Sequence, residues 1–225
     1  LLAKYRDTES TASPQETGPM PTPPAHVPAG SDHWRLSSGQ ERMWLIDKLV
    51  DVKELYHLYI EAEIDDELSV SILQASLLAL IGRHDVLRLR FQETDGPPVQ
   101  AICPAWLPNL SLVDISASVA SGGEALLARY RAQEMTSPFN LETGPHIRFK
   151  LMKLDDRRHV LMVTQHHIIS DGWSIALMLK DLADIYHAFS TAQELPPPAA
   201  AAYRDFTDSE RAQLASGKFD EHRRY

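Results

Sequence analysis

The segment His166-His167-Ile168-Ile169-Ser170-Asp171-Gly172 joins two stretches of different periodicity, and the interpretation of the whole chain starts from it. An apolar run occupies residues 159–165 before it, and an amphipathic run begins at Trp173 after it. That order predicts a strand, a tight polar loop and a helix. A loop of this kind can hold an imidazole at the lip of a cleft, close to the free backbone N–H groups at the start of the helix.

Helical and strand patterns alternate along the chain from about His33 onward. Apolar residues at helical spacing predict helices at 40–50, 69–82, 124–135 and 173–189, and a final polar helix is expected at about 203–215. Strands are predicted at 55–64, 86–93, 99–103, 147–154 and 159–165, with a hairpin turn at 155–158. Gly82 is expected to end the second helix. The alternation indicates an α/β (α+β) fold with a mixed sheet covered by helices.

The fourth predicted helix follows the histidine loop and should pack against the sheet. Its apolar residues lie on or near one face. They are Leu177, Leu182, Ile185, Tyr186 and Phe189.

Composition excludes several classes of protein. The 225 residues are 44% hydrophobic and 24% charged, which is typical of a globular domain. The net charge of −9 argues against nucleic acid or an anionic membrane as the main partner. No apolar stretch reaches the roughly 18 residues that span a bilayer. The lone Cys103 cannot form an internal disulfide, which fits a cytoplasmic protein.

The first 32 residues differ in composition from the rest. Residues 7–30 contain many prolines among Ser, Thr and Ala, which predicts a largely disordered interdomain linker at 1–32. The ordered domain is then expected at 33–225. Because the chain begins at Leu1 rather than Met, we interpret it as part of a longer protein.

The histidine loop has the residue types that acid–base chemistry needs. An unperturbed imidazole titrates near about pH 6.5, so both protonation states are accessible at neutral pH. Adjacent strand residues face opposite sides, so one of His166 and His167 should face the cleft while the other packs into the loop. Asp171 can accept a hydrogen bond or pair with an arginine. Gly172 allows a backbone bend or the close approach of a substrate.

Less specific interpretations of the loop stay open at this point. A buried pair of structural histidines is the commoner outcome for any His-His sequence. A metal site is disfavoured, because zinc needs three or four converging ligands and adjacent strand histidines diverge. The loop alone therefore leaves the function undecided.

Four other segments complete a set of motifs. In chain order they are Ser37-Ser38-Gly39-Gln40-Glu41-Arg42-Met43-Trp44, Arg83-His84-Asp85-Val86-Leu87-Arg88-Leu89-Arg90-Phe91, Pro138-Phe139-Asn140-Leu141 with Gly144-Pro145 and Arg148, and Tyr203-Arg204-Asp205-Phe206. With the H-H-x-x-x-D-G loop they resemble the ordered motifs of nonribosomal peptide synthetase condensation domains. The chain departs from those motifs at Gly39, Met43, Asp85 and Ser209, where Ala, Leu, Glu and Trp are usual.

The resemblance implies a fold and a reaction. Condensation domains consist of two chloramphenicol-acetyltransferase-like lobes in a V, with the active site in a tunnel between them. The motifs present here are those of the first lobe, so the expected architecture is one half of that V. The implied reaction is amide formation between two thioester-bound acyl groups. Without a second lobe, this chain is expected to be inactive by itself.

The resemblance also implies roles for individual residues. His167, Asp171 and Gly172 are the expected catalytic residues. His167 is expected to position the acceptor amine and take its proton, and Gly172 to allow close backbone approach. Asp171 is assigned to loop architecture through an arginine pair, with a role as a base as the alternative. His166 and the candidate partners Arg83, Arg88 and Arg148 are expected to support the site. Trp173 and Ser174 are expected to line the tunnel, although core packing explains Trp173 equally well.

The implied partners are donor and acceptor carrier proteins and the second lobe of the same domain. No cofactor is expected to bind covalently, because the substrates arrive on the phosphopantetheine arms of the carriers, and no metal is expected. Two alternatives from other classes remain. One is a non-catalytic condensation-like docking platform for carrier proteins or tailoring enzymes. The other is a related acyltransferase that esterifies an alcohol, and the motifs at Ser37 and Arg83 argue against it.

Overall fold

The computed structural model describes residues 33–103, 110–118, 122–195 and 202–216, together with positions 108 and 197. The linker expected at 1–32 lies outside these residues. Among the described helices, none combines the length and the apolar content that crossing a bilayer would require.

Strands and helices alternate through the described residues. In chain order they are β1 (Trp34–Arg35), α1 (Ser38–Leu49), β2 (His57–Asp65), α2 (Val70–Arg83), β3 (Leu89–Gln92), β4 (Val99–Ile102), β5 (Leu110–Asp114), α3 (Gly123–Thr136), β6 (Ile147–Lys153), β7 (Arg158–His166), α4 (Gly172–Ser190) and α5 (Tyr203–Ala215). The predicted α/β fold, a mixed sheet covered by helices, is confirmed.

The main sheet has the strand order β2-β7-β6-β5. Strand β7 pairs antiparallel with β2 and β6, and β5 pairs parallel with β6. Because β7 has a partner strand on both sides and helices on both faces, its central residues 160–163 are all apolar and buried. The predicted hairpin before β7 is also confirmed, since the backbone N–H groups of Leu154 and Asp155 donate to the carbonyl of Arg158 at 2.9 and 3.2 Å.

Two hydrophobic layers lie on opposite faces of this sheet. Leu161 and Val163 of β7 share one cluster with buried residues of α2 and α4. Val160 and Met162 share the other cluster with Leu127 and other residues of α3. Each fully buried aliphatic side chain contributes about 1.5–3 kcal/mol to the stability of the fold. The strand that ends at the histidine loop is therefore fixed from both faces.

A second sheet has the strand order β1-β4-β3, and its strand β1 contacts α5 and pairs with α1 through Arg35 and Glu41. Helix α5 is bound to the segment around the start of α1. The guanidinium of Arg211 donates to the carbonyl of Leu36 at 2.7 Å and pairs with Glu41 at 2.6 Å. Glu210 accepts the backbone N–H of Ser38 at 2.8 Å. These contacts hold two segments that are far apart in the sequence beside each other.

Several sequence predictions differ from the structure in detail. The strands predicted at 55–64 and 86–93 each begin with a 3₁₀ turn, and β2 and β3 start at His57 and Leu89. Gly82 does not end α2, which continues to Arg83 with His84 as its cap. Leu177 and Phe189 are 54% and 37% exposed, because the buried face of α4 is formed instead by Ile175, Met178, Leu182, Ile185 and Ala188. The sequence does not predict β1 and β5, since two and five residues give little periodic signal.

His146 is a fully buried histidine next to the main sheet. It follows Gly144, whose φ of 62° lies in the left-handed region that favours glycine, by two residues. Its backbone carbonyl accepts the N–H of His166 at 2.9 Å, and its ring packs on Phe91 with centroids 5.4 Å apart. Burial lowers the pKa of His146 to about 3. The folded protein therefore keeps this ring neutral under all mild conditions.

This burial predicts a pH-dependent stability. Between about pH 6.5 and pH 3 the unfolded chain binds a proton at His146 that the folded chain does not, so stability falls as the pH falls through this window. Replacing His146 with Met, which is of similar size, should reduce the loss of unfolding free energy between pH 7 and pH 5 by about 2 kcal/mol. Urea denaturation at the two pH values measures the free energy of unfolding of the wild type and of the variant. If His146→Met loses as much unfolding free energy as the wild type, the lowered pKa of His146 is contradicted.

Candidate active site

His166 is the last residue of β7 and is buried, with 1% of its surface exposed. Its Nδ1 atom accepts the backbone N–H of Ile168 at 3.1 Å. Its ring lies edge-on to Phe139 at 6.3 Å and to His57 at 6.4 Å. The first histidine of the pair is thus enclosed by protein and helps to shape the turn that follows it.

His167 continues the pairing of β7 with β2 by one residue. His57 pairs with His166, and the backbone N–H of His167 donates to the carbonyl of Tyr56 at 2.8 Å. Its side chain therefore lies on the opposite face from His166. It is half-buried and lines an open pocket of about 370 Å³. The prediction that one histidine faces a cleft while the other packs into the loop is confirmed.

The pocket lies where three of the sequence motifs meet. Its lining residues come from α1, the histidine loop and the start of α4 and of α5. They are Ser37, Gly39, Gln40, Met43, His167, Ile168, Ile169, Ser170, Asp171, Ser174, Tyr203 and Phe206. No group of three or more His, Cys, Asp or Glu side chains within the described residues could hold a metal ion.

The start of α1 braces the histidine loop. Ser37 and Gln40 form a reciprocal capping box, in which each side chain binds the backbone N–H of the other residue at 3.2 and 3.0 Å. The Nε2 atom of Gln40 also donates to the carbonyl of Ile168 at 3.3 Å. The hydroxyl of Tyr203 lies 3.2 Å from Ser37 Oγ. The first and last motifs thus hold the loop in place by hydrogen bonds to its backbone and to each other.

Asp171 is the N-cap of α4. Its carboxylate accepts the backbone N–H of Ser174 at 2.8 Å, in the geometry that Asp favours at helix starts. Hydrogen bonds from the backbone and hydroxyl of Ser174 lower the pKa of Asp171, and His167 lies near enough to lower it further. The carboxylate is exposed and its pKa is lowered, so it is a weak base at neutral pH.

The expected pairing of Asp171 with an arginine is wrong for this structure. Each candidate arginine binds another acidic residue. Arg83 pairs with Asp181 at 3.2 Å, Arg88 pairs with Asp85, and Arg148 pairs with Glu134 at 3.3 Å. The cap in α4 satisfies Asp171 locally, so the loop keeps its shape without an ion pair.

Two of these arginines instead hold the elements around the site. Arg83 and the neighbouring His84 both bind Asp181, which ties the end of α2 to the middle of α4. Arg148 lies 3.9 Å from the centroid of the Phe139 ring and donates to the carbonyl of Ser137 at 2.8 Å. Phe139 in turn contacts His166, so Arg148 acts on the histidine loop through one aromatic ring.

Gly172 and the two residues after it lie at the open end of α4. Gly172 has no positive φ, and a Cβ atom added to it would meet nothing within 4 Å. The backbone bend expected of it is therefore not needed, while close approach from outside stays possible. Trp173 is 77% exposed, which excludes core packing within the described residues. Ser174 is exposed beside the pocket.

Two contacts of the site cannot be identified from the sequence. The S-x-x-Q spacing at Ser37 and Gln40 indicates a capping box, but it gives no sign of a second role for Gln40. The contact of Gln40 with Ile168 and the contact of Tyr203 with Ser37 join residues more than 100 positions apart. No local pattern contains that information.

Comparison with known proteins identifies the family. A family model described as "Condensation domain" matches residues 30–225, and the chain therefore belongs to the condensation-domain family. It is 34% identical over 191 residues to malpibaldin synthetase of Mortierella alpina, a match that covers 84% of this chain and 3% of that protein. It is 32% identical over 209 residues to phosphinothricin tripeptide synthetase PhsC of Streptomyces viridochromogenes, a match that covers 92% of this chain and 18% of that protein.

Solved structures support the same assignment. The first condensation domain of the calcium-dependent antibiotic synthetase superposes with a TM-score of 0.76 at 26% identity, over 85% of this chain and 46% of that chain. The starter condensation domain of rhizomide synthetase RzmA gives 0.75 at 26% identity, over 85% and 46%. The chain thus has the chloramphenicol-acetyltransferase-like fold, and it spans less than half the length of these structures.

The cap assignment of Asp171 can be tested by two substitutions. Asp171→Ala removes the acceptor for Ser174 and should lower the free energy of unfolding by about 1 kcal/mol. Asp171→Asn keeps an equally good cap and should stay within a few tenths of a kcal/mol of the wild type. Urea denaturation compares the three proteins. If the asparagine variant were as destabilised as the alanine variant, the stabilisation would come from the charge of Asp171 rather than from its capping hydrogen bond.

Proposed function

We propose that this chain is the histidine-bearing N-terminal lobe, at 33–225, of a nonribosomal peptide synthetase condensation domain. The domain joins a donor acyl or peptidyl thioester to an acceptor aminoacyl thioester through a new amide bond. The observation that carries the proposal is the position of His167 on an open pocket, with the family's other motifs bracing its loop. Membership of the condensation-domain family supports the reaction class.

The proposed reaction is acyl transfer to an amine. The acceptor amine attacks the donor carbonyl, the C–N bond forms, the C–S bond breaks, and the donor arm leaves as a thiol with a proton lost by the amine. An α-amino group has a pKa of about 7.7–8.0, so a useful fraction is already neutral near pH 7. The Nε2 atom of His167 is the proposed acceptor for an N–H of this amine.

Positioning is proposed to supply more of the rate than base catalysis. Holding two tethered reactants in the correct geometry can lower the barrier by about 7–11 kcal/mol. Transfer of a proton to a side chain typically gives about 10²–10⁴-fold. A half-buried imidazole at the end of a strand that is packed on both faces is a well-fixed partner for the amine.

The start of α4 is the proposed approach for a phosphopantetheine arm. The open space beside Gly172 leaves room for the arm or for the developing oxyanion close to the backbone. Exposed Trp173 and Ser174 flank this space and are proposed to line the tunnel. The proposed partners are the donor and acceptor carrier proteins and a second lobe that closes the tunnel.

Removal of the His167 imidazole tests the function. In the intact parent synthetase module, with donor and acceptor loaded on their carriers, His167→Ala should slow amide formation by about 10²-fold or more. Mass spectrometry of the carrier-bound product measures the rate. His187→Ala, at a histidine near the other end of α4, is the control and should keep the wild-type rate.

The other outcomes of this experiment are equally informative. If His167→Ala forms product at the wild-type rate, His167 is part of the scaffold only. If the wild-type module forms no amide but still binds loaded carriers, a docking platform replaces the proposed enzyme. The 225-residue chain by itself should form no amide product.

A glycine substitution separates substrate approach from stability. Gly172→Ala should leave the fold unchanged or stabilise it by up to about 1 kcal/mol, because a helical Ala is favoured over Gly and its Cβ meets nothing. The same methyl group should lower the rate of amide formation in the parent module, since it fills the proposed approach. Gly82→Ala, also helical and also without neighbours within 4 Å, is the matched control for thermal stability and rate. Equal rates in both variants would exclude the role of Gly172.

A further inference from the structure

Gln165 is a buried amide without a hydrogen-bond partner among the described residues. It lies in β7, two residues before His167, and none of its surface is exposed. Both its Oε1 and its Nε2 atom lack a partner there. A buried polar group left in this state costs about 1–3 kcal/mol, and most such groups in folded proteins are paired with protein or with water. The fold would be at least as stable with an apolar residue here.

Gln165 and His167 lie on the same face of β7. His167 remains in the ladder through its N–H bond to Tyr56, so the alternation of side chains continues through it. Residues two apart along a strand have Cα atoms about 6.5 Å apart. One water molecule can therefore bridge the amide of Gln165 and the imidazole of His167.

His167 also has a ring nitrogen that is available for a hydrogen bond. Its Nδ1 is buried and has no partner among the described residues. Its Nε2 is not among the buried atoms and makes no hydrogen bond there, so it is open to the pocket that the ring lines. Two buried polar groups that lack partners within the described part of the chain thus lie on one face, two residues apart.

Other polar side chains of the pocket are already engaged. Gln40 uses its Oε1 for Ser37 and its Nε2 for Ile168. Asp171 accepts from Ser174, and the hydroxyl of Tyr203 contacts Ser37. Gln165 differs from these residues, because neither polar atom of its amide has a hydrogen-bond partner among the described residues. Its amide is therefore available to bind His167.

We propose that Gln165 is a positioning residue that fixes the tautomer of His167. Its Oε1 accepts the Nδ1 proton of His167 through one water molecule. The Nε2 atom then carries a lone pair toward the pocket and can accept an N–H of the substrate amine. The inference rests on the proposed function for the use of that lone pair, whereas the tautomer itself is a property of the resting protein.

The tautomer is tested first, by NMR on the full 225-residue chain with ¹⁵N-labelled histidine. The protonated and unprotonated nitrogens of a neutral imidazole have well-separated ¹⁵N shifts, and the signal missing from His167→Ala assigns the ring. The wild type should show a proton on Nδ1. Gln165→Met, of similar length but without the amide, should shift the population toward a proton on Nε2. If the wild type carries its proton on Nε2, or if Gln165→Met leaves the tautomer unchanged, the proposal is wrong.

Stability and rate separate positioning from a structural role. Gln165→Met should keep or raise the melting temperature, because it removes an unpaired buried amide. In the parent module it should lower kcat about 10-fold or more, with little change in KM. Thr164→Val is the matched control, since Thr164 is equally buried in β7 but faces the other side. It should change neither the His167 tautomer nor the rate. A Gln165→Met variant that loses stability but keeps kcat would show a structural role instead.

The NMR result does not depend on activity. A wild-type module that forms no amide would remove the proposed function, while the tautomer measurement would still decide the role of Gln165. Conversely, an active module in which Gln165→Met keeps both kcat and the Nδ1 proton would remove this proposal alone.

Discussion

The hydrogen bond from the backbone N–H of His167 to the carbonyl of Tyr56 is the constraint on which the site depends. It keeps His167 in the ladder of the central strand for one residue after His166. Because side chains alternate along a strand, this single bond directs one imidazole into the protein and the next one onto the pocket. The helices on both faces of the sheet then prevent the strand from shifting its register, since a shift of one residue would exchange the two rings.

Residues of the other sequence motifs hold the end of β7 and the histidine loop in place. Ser37 and Gln40 cap α1 and hold the loop backbone at Ile168. Arg83 joins α2 to α4, which starts at the loop. Arg148 packs on Phe139 next to His166. The two arginines thus act at a distance from the pocket, by fixing the elements that present His167.

The loop itself needs little support from charge. Asp171 satisfies the first turn of α4 through Ser174, and the arginines expected to pair with it are engaged with other carboxylates. A capped helix start is a local structure, so its geometry does not depend on a distant partner. The unpaired amide of Gln165 stands apart from these satisfied groups. Unpaired groups of this kind are most readily explained where function requires them.

The sequence by itself determined most of the element types, the family and the different orientations of His166 and His167. These follow from local periodicity, from motif order and from the alternation of a strand. Only the tertiary structure decided the partners of Arg83 and Arg148, the exposure of Leu177 and Trp173, and the contact of Gln40 with Ile168. Those facts depend on which elements lie side by side, and contacts between residues far apart in the chain leave no trace in a local pattern. Charge pairing was the least predictable feature, because an arginine can reach several carboxylates and packing alone selects among them.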